Sequence, residues 1–258
     1  MAKPATPAGG DEQSLLGHLL ELRTRILRAV IAVAVFTTLL LPFTQDLYTL
    51  LAEPLLRHMP TGSSMIAIDV ATPFLTPFKM TLLAGIMLSI PVIIYQMWAF
   101  VAPGLFEHEQ HLAKPLLVSA TLLFYAGCLF AYFVVFPVIF AFFTSVAPAG
   151  VSVMTDISRY LDFVIALFLA FGIAFEVPVA IIILVAVRVV TPQQLASKRA
   201  YIIVGAFAIG MLLTPPDVIS QSLLAIPMWL LFEFGVIMAK VLIKSDAEKE
   251  DATASDRA

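Results

Sequence analysis

YLDFVIALFLAFGIAFEVPVAIIILVAV, residues 160–187, is an apolar run of membrane length with a carboxylate set inside it. Glu176 stands sixteen positions after Tyr160, about 24 Å along a helix that rises ~1.5 Å per residue. A carboxylate at such depth costs about 2.5–3.5 kcal/mol on insertion scales, which predicts a wet cavity or a protein partner beside it rather than lipid. Two residues on, Pro178 lacks an N–H and frees a backbone carbonyl one turn back, making the spot more polar still. A passive span needs neither residue, so Glu176 is read as an intramembrane polar site.

The rest of the chain is built in the same way. Of its 258 residues, 60% are hydrophobic and 13% charged, about half the charge of an ordinary soluble domain at ~25%. The mean hydropathy of +0.98 completes the case for a polytopic membrane protein. Cys128, the single cysteine, lies in an apolar run and excludes a disulfide framework. The first apolar run follows Arg23, Arg25 and Arg28 and shows no small-residue cleavage site, so a removable signal peptide is not expected.

Six spans are predicted, at about 26–43, 80–102, 115–143, 160–187, 200–213 and 218–239. Their continuous apolarity favours helices over a barrel, because lipid leaves no water to satisfy an exposed backbone. An even count puts both termini on one side. With the termini inside, twelve of the fifteen Lys and Arg residues are cytoplasmic, and only Arg57, Lys79 and Arg159 fall outside. That asymmetry predicts N-in and C-in. The expected organisation is a polar, disordered cytoplasmic tail at 1–13, a membrane domain at 14–244 and a second such tail at 245–258.

The span at 200–213 has 14 residues, about 21 Å of helix against a hydrocarbon core of ~30 Å. Asp217, beyond Thr214–Pro215–Pro216, prevents its extension. Either the bilayer thins there or neighbouring helices shield the short element. In the loop at 44–79, Thr44 is expected to cap an amphipathic surface helix. Phe43 and Tyr48 are placed as its staple, Pro54 interrupts it, and Pro60–Thr61–Gly62 ends it.

Carboxylates on the cytoplasmic side form a second anomaly. Glu21 lies in HLLELRTR, residues 18–25, and Glu107 and Glu109 lie in PGLFEHEQHL, residues 103–112. Singly, each has a bland reading: Glu21 pairs with Arg25 at i,i+4, worth about 0.3–0.5 kcal/mol, and the other two are solvated. Together they make an acidic rim suited to a cationic ligand, with bidentate guanidinium binding as its strongest form.

HLLELRTR, PFLTPFK at 73–79, YQMWAFVAPGLFEHE at 95–109, FEVP at 175–178 and GMLLTPPDVISQ at 210–221 resemble the TatC family of twin-arginine, or Sec-independent, protein translocases, in order from about residue 14 to 240. The resemblance implies a glove-shaped, all-α bundle of six transmembrane helices in a bacterial inner membrane. Its implied function is a core receptor that binds twin-arginine signal peptides and exports folded proteins with the proton motive force. By the same resemblance, Glu21 and Glu109 receive the paired arginines, with Arg23 and Phe100 in the same surface. Glu176 matches the family's intramembrane acid, on the concave side of the bundle. Met211, Thr214 and Gln221 match its contact site for the single-span partner subunits TatA and TatB, and Asp217 a conspicuous acidic position near the outer end of those helices. Pro54 is a further candidate in the outer loop. Other copies of the chain and the lipid bilayer are implied partners, and nucleic acid is not. Gln110 departs from the pattern, where relatives commonly carry a basic residue.

The remaining residues read as structural or undecided. Glu233 is expected to pair with Lys240 or reach the headgroups. Asp162 lies near the outer interface. His18, His58, His108 and His111 are scattered and form no metal constellation; no cofactor is expected. Pro91 predicts a kink. Without a phosphate-binding loop or a nucleophile–base pair, the chain does not read as an enzyme. The alternative function is an ion-coupled secondary transporter using Glu176, and a third reading is a scaffold for other membrane subunits.

Overall fold

The structure is a computed structural model that describes residues 10–57, 65–101, 113–146, 154–213 and 218–255. Helix α1, Gly10–Leu40, passes through a 3-10 turn at Leu41–Phe43 into α2, Thr44–Leu56. Then follow α3, Thr72–Val101, and α4, Ala113–Phe130, which a π turn at Ala131–Val135 joins to α5, Phe136–Ser145. Helix α6, Ile157–Phe175, and α7, Val177–Ala186, are divided at Glu176. The chain closes with α8, Pro192–Ser197, α9, Arg199–Leu213, and α10, Val218–Ser255.

The all-α expectation holds. Among the described residues, the one element of β pairing is an isolated bridge between Ile66 and Asp156. Among the described residues five helical runs are long and apolar enough to cross a membrane: Gly17–Glu53, Thr72–Phe100, Pro115–Ser145, Ile157–Ala186 and Val218–Val241. The predicted span at 200–213 coincides with the shorter apolar helix α9. At the C-terminus, α10 continues to Ser255, through residues 245–255 that composition assigns to a polar tail. That stretch includes three Ala, two Glu and one Lys, which are good helix formers.

The core sits between α3, α4–α5 and α6. Phe136, Leu161, Leu167 and Phe171 are fully buried, and Phe136 meets Phe168 edge to face with centroids 5.0 Å apart, a preferred aromatic geometry. α1 lies along α3, whereas α9 packs mainly on α10.

The loop helix differs from its sequence reading. Thr44 is helical, at φ −54° and ψ −40°, and its hydroxyl donates back to the Leu41 carbonyl at 2.7 Å instead of capping forward. The preceding 3-10 turn already delivers the chain in helical conformation, so no N-cap is required. α2 also runs through Pro54 without interruption and ends at Leu56, before residues 60–62, which lie outside the described residues. Pro54 has no N–H for the Leu50 carbonyl four residues back, and the Tyr132 hydroxyl donates to that carbonyl at 2.9 Å. The Tyr160 hydroxyl donates to the next carbonyl, Leu51, at 2.6 Å. These two bonds fasten α2 to the π turn and to α6. Lys79 of α3 pairs with Asp162 of α6 at 3.2 Å.

Candidate functional site

Two separate places collect the residues singled out by sequence. The first is the end of the bundle where α1 begins and α3 finishes. The ring of His18 stacks on Phe100 with centroids 4.2 Å apart and planes 22° from parallel. His18 Nδ1 lies 4.0 Å from Glu21 Oε2, since i and i+3 share a helix face. The other carboxylate oxygen, Oε1, accepts from Arg25 Nε at 2.9 Å and from the second arginine nitrogen as well. Arg23 is exposed on the same helix end.

The structure therefore brings Glu21 and Phe100 together through His18, which in the sequence is one of four scattered histidines. Its i,i+3 spacing to Glu21 in HLLE was the available signal. Glu107 and Glu109 lie outside the described residues. The bland pairing of Glu21 with Arg25 is present too, so the carboxylate is charge-compensated and half open.

The second place is the α6–α7 break. Glu176 is the single residue between the two helices, with its backbone still in the right-handed helical region at φ −77° and ψ −15°. Its N–H donates to Ile173 O and its carbonyl accepts from Ala180 N, at 3.0 and 2.9 Å. Pro178 falls at the start of α7, where a missing N–H costs least. Helix α10 crosses against this break: a Cβ added at Gly235 would stand 2.8 Å from Pro178 Cα, so only glycine permits the approach. Glu176 is part-buried, and its Oε1 is enclosed with no hydrogen-bond partner among the described residues. Its neighbours Ile173, Ala174 and Val177 line a groove of about 620 Å³, closed on the other sides by Tyr201 and Ala206 of α9 and Phe232 of α10.

The remaining candidates lie at the far end of α9 and α10. Met211 is 62% exposed, and Gln221 stands against Gly210, whose added Cβ would lie 3.5 Å from Gln221 Cα. Thr214 and Asp217 lie outside the described residues. Pro54 is on α2, remote from both sites in the chain's path. Among the described residues Glu233 pairs with Arg199 rather than Lys240, taking the guanidinium in a two-bond fork at 2.5 and 2.7 Å. The antiparallel pairing of α9 and α10 brings these residues together across 34 positions, and a planar fork satisfies a carboxylate better than an ammonium does.

The family described as "Sec-independent protein translocase protein (TatC)" matches residues 17–227. The chain is 54% identical to the Sec-independent protein translocase protein TatC of Escherichia coli strain K12 over 241 residues, covering 93% of each. It is 52% identical to the TatC protein of Azotobacter chroococcum mcd 1 over 252 residues, 98% of this chain and 97% of that one. A crystal structure of the twin-arginine translocase receptor TatC superposes with a TM-score of 0.77 at 38% identity, over 87% of this chain and 98% of that one.

Proposed function

From the premise that the chain belongs to the TatC family of Sec-independent protein translocases, we propose that it is the signal-peptide receptor and core component of a twin-arginine export system. It is a multi-pass membrane protein and a component of that translocase. In the proposed arrangement six spans place both termini in the cytoplasm of a bacterial inner membrane. The paired arginines of a folded cargo's signal bind Glu21 and Glu109 on the rim that includes Arg23 and Phe100.

The observation that carries this reading is the junction of Glu21, His18 and Phe100. It joins the start of α1 and the end of α3, two chain-distant helix ends, into one surface that carries a carboxylate and aromatic rings. A guanidinium suits both parts, as a fork for carboxylate and a plane for aromatic faces. The adjacent spans would supply the sheltered polar position at Glu176 for an inserting signal hairpin. TatA and TatB would dock at Met211, Thr214 and Gln221, with Asp217 beside them. Transport would draw on the proton motive force, since no phosphate-binding loop is present in the sequence.

The test is export of a folded fluorescent reporter behind a twin-arginine signal, in cells where this chain replaces the resident protein. Export that requires the signal's two arginines and stops with a protonophore supports the proposal. Export of neither reporter nor native cargo by a correctly inserted chain overturns it. One observation favours the transporter reading: Glu176 Oε1 has no hydrogen-bond partner among the described residues. The groove beside it, however, is lined by apolar side chains apart from the phenol of Tyr201, which offers ions no polar path. Solute-coupled proton flux in vesicles containing this chain alone would restore that alternative.

A further inference from the structure

The acidic site at the start of α1 is not empty of guanidinium. Arg25 already supplies one, with two of its nitrogens on Glu21 Oε1. Its side chain is tucked in at 19% exposure, against 38% for Glu21. Beside the pair an open hollow of about 370 Å³ is lined by Leu20, Glu21, Thr24, Arg25 and Arg28. Glu21 thus presents one oxygen that already accepts two hydrogen bonds and a second, Oε2, whose ion-pair neighbour among the described residues is His18 at 4.0 Å. An incoming guanidinium that takes both oxygens in a fork must compete for the first of them.

We propose that Arg25 is a built-in occupant of Glu21, a resident stand-in for the signal's arginine that sets the affinity threshold a signal peptide must exceed. This rests on the receptor reading given above and deepens it. The register makes the occupancy intrinsic: residues i and i+4 are neighbours on one helix face, with glutamate on the N-terminal side, the favourable order. Without a signal, the pair keeps a lone carboxylate from taking up any passing cation. When a signal arrives, its arginine displaces Arg25 into the neighbouring hollow, and the carboxylate keeps a guanidinium throughout. The exchange swaps one charge-assisted contact for another, so the net gain is small and the signal's remaining contacts decide whether it stays bound.

The experiment measures photo-crosslinking of a synthetic twin-arginine signal peptide to the full chain in membrane vesicles, as a function of peptide concentration. Arg25→Gln removes the occupant and is expected to lower the half-saturating concentration about twofold to fivefold, the fold-change equivalent of an exposed ion pair. Arg25→Lys, which retains a weaker occupant, falls between wild type and Arg25→Gln. In a Glu21→Gln background Arg25→Gln has no further effect, because there is no carboxylate to vacate. Weaker or unchanged binding in Arg25→Gln would overturn the proposal, as would a gain that persists without Glu21 and so reports only the loss of a nearby positive charge. Wild-type binding by Glu21→Gln alone would instead remove the receptor role of Glu21, and the occupant with it.

Discussion

The hydroxyl of Tyr125 donates to the main-chain carbonyl of Met87 at 3.0 Å, and Met87 lies four residues before Pro91. Proline has no N–H to return to that carbonyl. Tyr132 stands in the same relation to Leu50 and Pro54, at 2.9 Å. Two tyrosines of the α4–π-turn segment thus satisfy two carbonyls orphaned by prolines on two other helices. In a bilayer, where water is absent, this is how a proline within a helix becomes tolerable.

Tyr125→Phe removes the donor and leaves a part-buried acceptor unpaired, which predicts a loss of about 1–3 kcal/mol in stability. Pro91→Ala returns an N–H to Met87. In that background Tyr125→Phe is expected to cost well under half as much. Thermal unfolding of the four proteins in one detergent gives the coupling directly, and equal costs in both backgrounds would contradict the account.

The α1–α3 contact rests on Gly85. A Cβ there would fall on Thr37 Oγ1 and stand 2.9 Å from the Thr37 backbone nitrogen. Gly85→Ala is therefore expected to destabilise by about 1–3 kcal/mol through forced backbone shifts. Gly205, with nothing within 4 Å of its added Cβ, is the control: Gly205→Ala leaves thermal stability unchanged or slightly raised.

Glu176 is a test of function against stability. Its Oε1 has no partner among the described residues, so Glu176→Gln removes no hydrogen bond at that atom. Replacement of a polar group whose partners are absent is near neutral or stabilising. Glu176→Gln and Glu176→Leu are both expected to hold or raise the melting temperature while lowering export of a folded reporter. A variant that unfolds would show the acid to be structural.

The end of α7 contains a removable strain. Arg188 has φ 57° at the turn where Val189 N bonds to Leu184 O at 3.1 Å and Arg188 N to Val185 O at 3.0 Å. This is the Schellman arrangement, in which glycine is the usual residue. Arg188→Gly is expected to stabilise by about 0.5–1 kcal/mol, relief of the left-handed conformation outweighing the added chain entropy. A lower melting temperature would show that the guanidinium makes a compensating contact.

Long continuous apolar runs make five membrane-length helices and the short α9 legible in the sequence, because length and composition suffice for that inference. The acid and the missing N–H at 176–178 are legible as well, but the division of the 160–187 span into α6 and α7 is not, since prolines also sit inside a continuous helix, as Pro77 and Pro91 do in α3. Thr44 is not, because a cap residue cannot be told from a residue entering an already helical turn. Nor is the continuity through Pro54, because the tyrosine that repairs its helix lies 82 residues from the carbonyl it bonds. Glu233 finds Arg199 across 34 positions, a pairing set by how α9 and α10 lie together. His18 stays inconspicuous in the sequence because its partner ring, Phe100, belongs to another helix.

The joint reception of an export signal's arginines by Glu21 and Glu109 is the proposal on which the other roles depend. It is tested most directly by photo-crosslinking a twin-arginine signal peptide to wild type and to the Glu21→Ala/Glu109→Ala variant in membranes. The account predicts strong labelling of wild type, weak labelling by a Lys-Lys peptide, and a loss of about tenfold or more in the double variant, as expected for charge-assisted forks. Equal labelling by the Lys-Lys peptide, or undiminished labelling of the double variant, would contradict it.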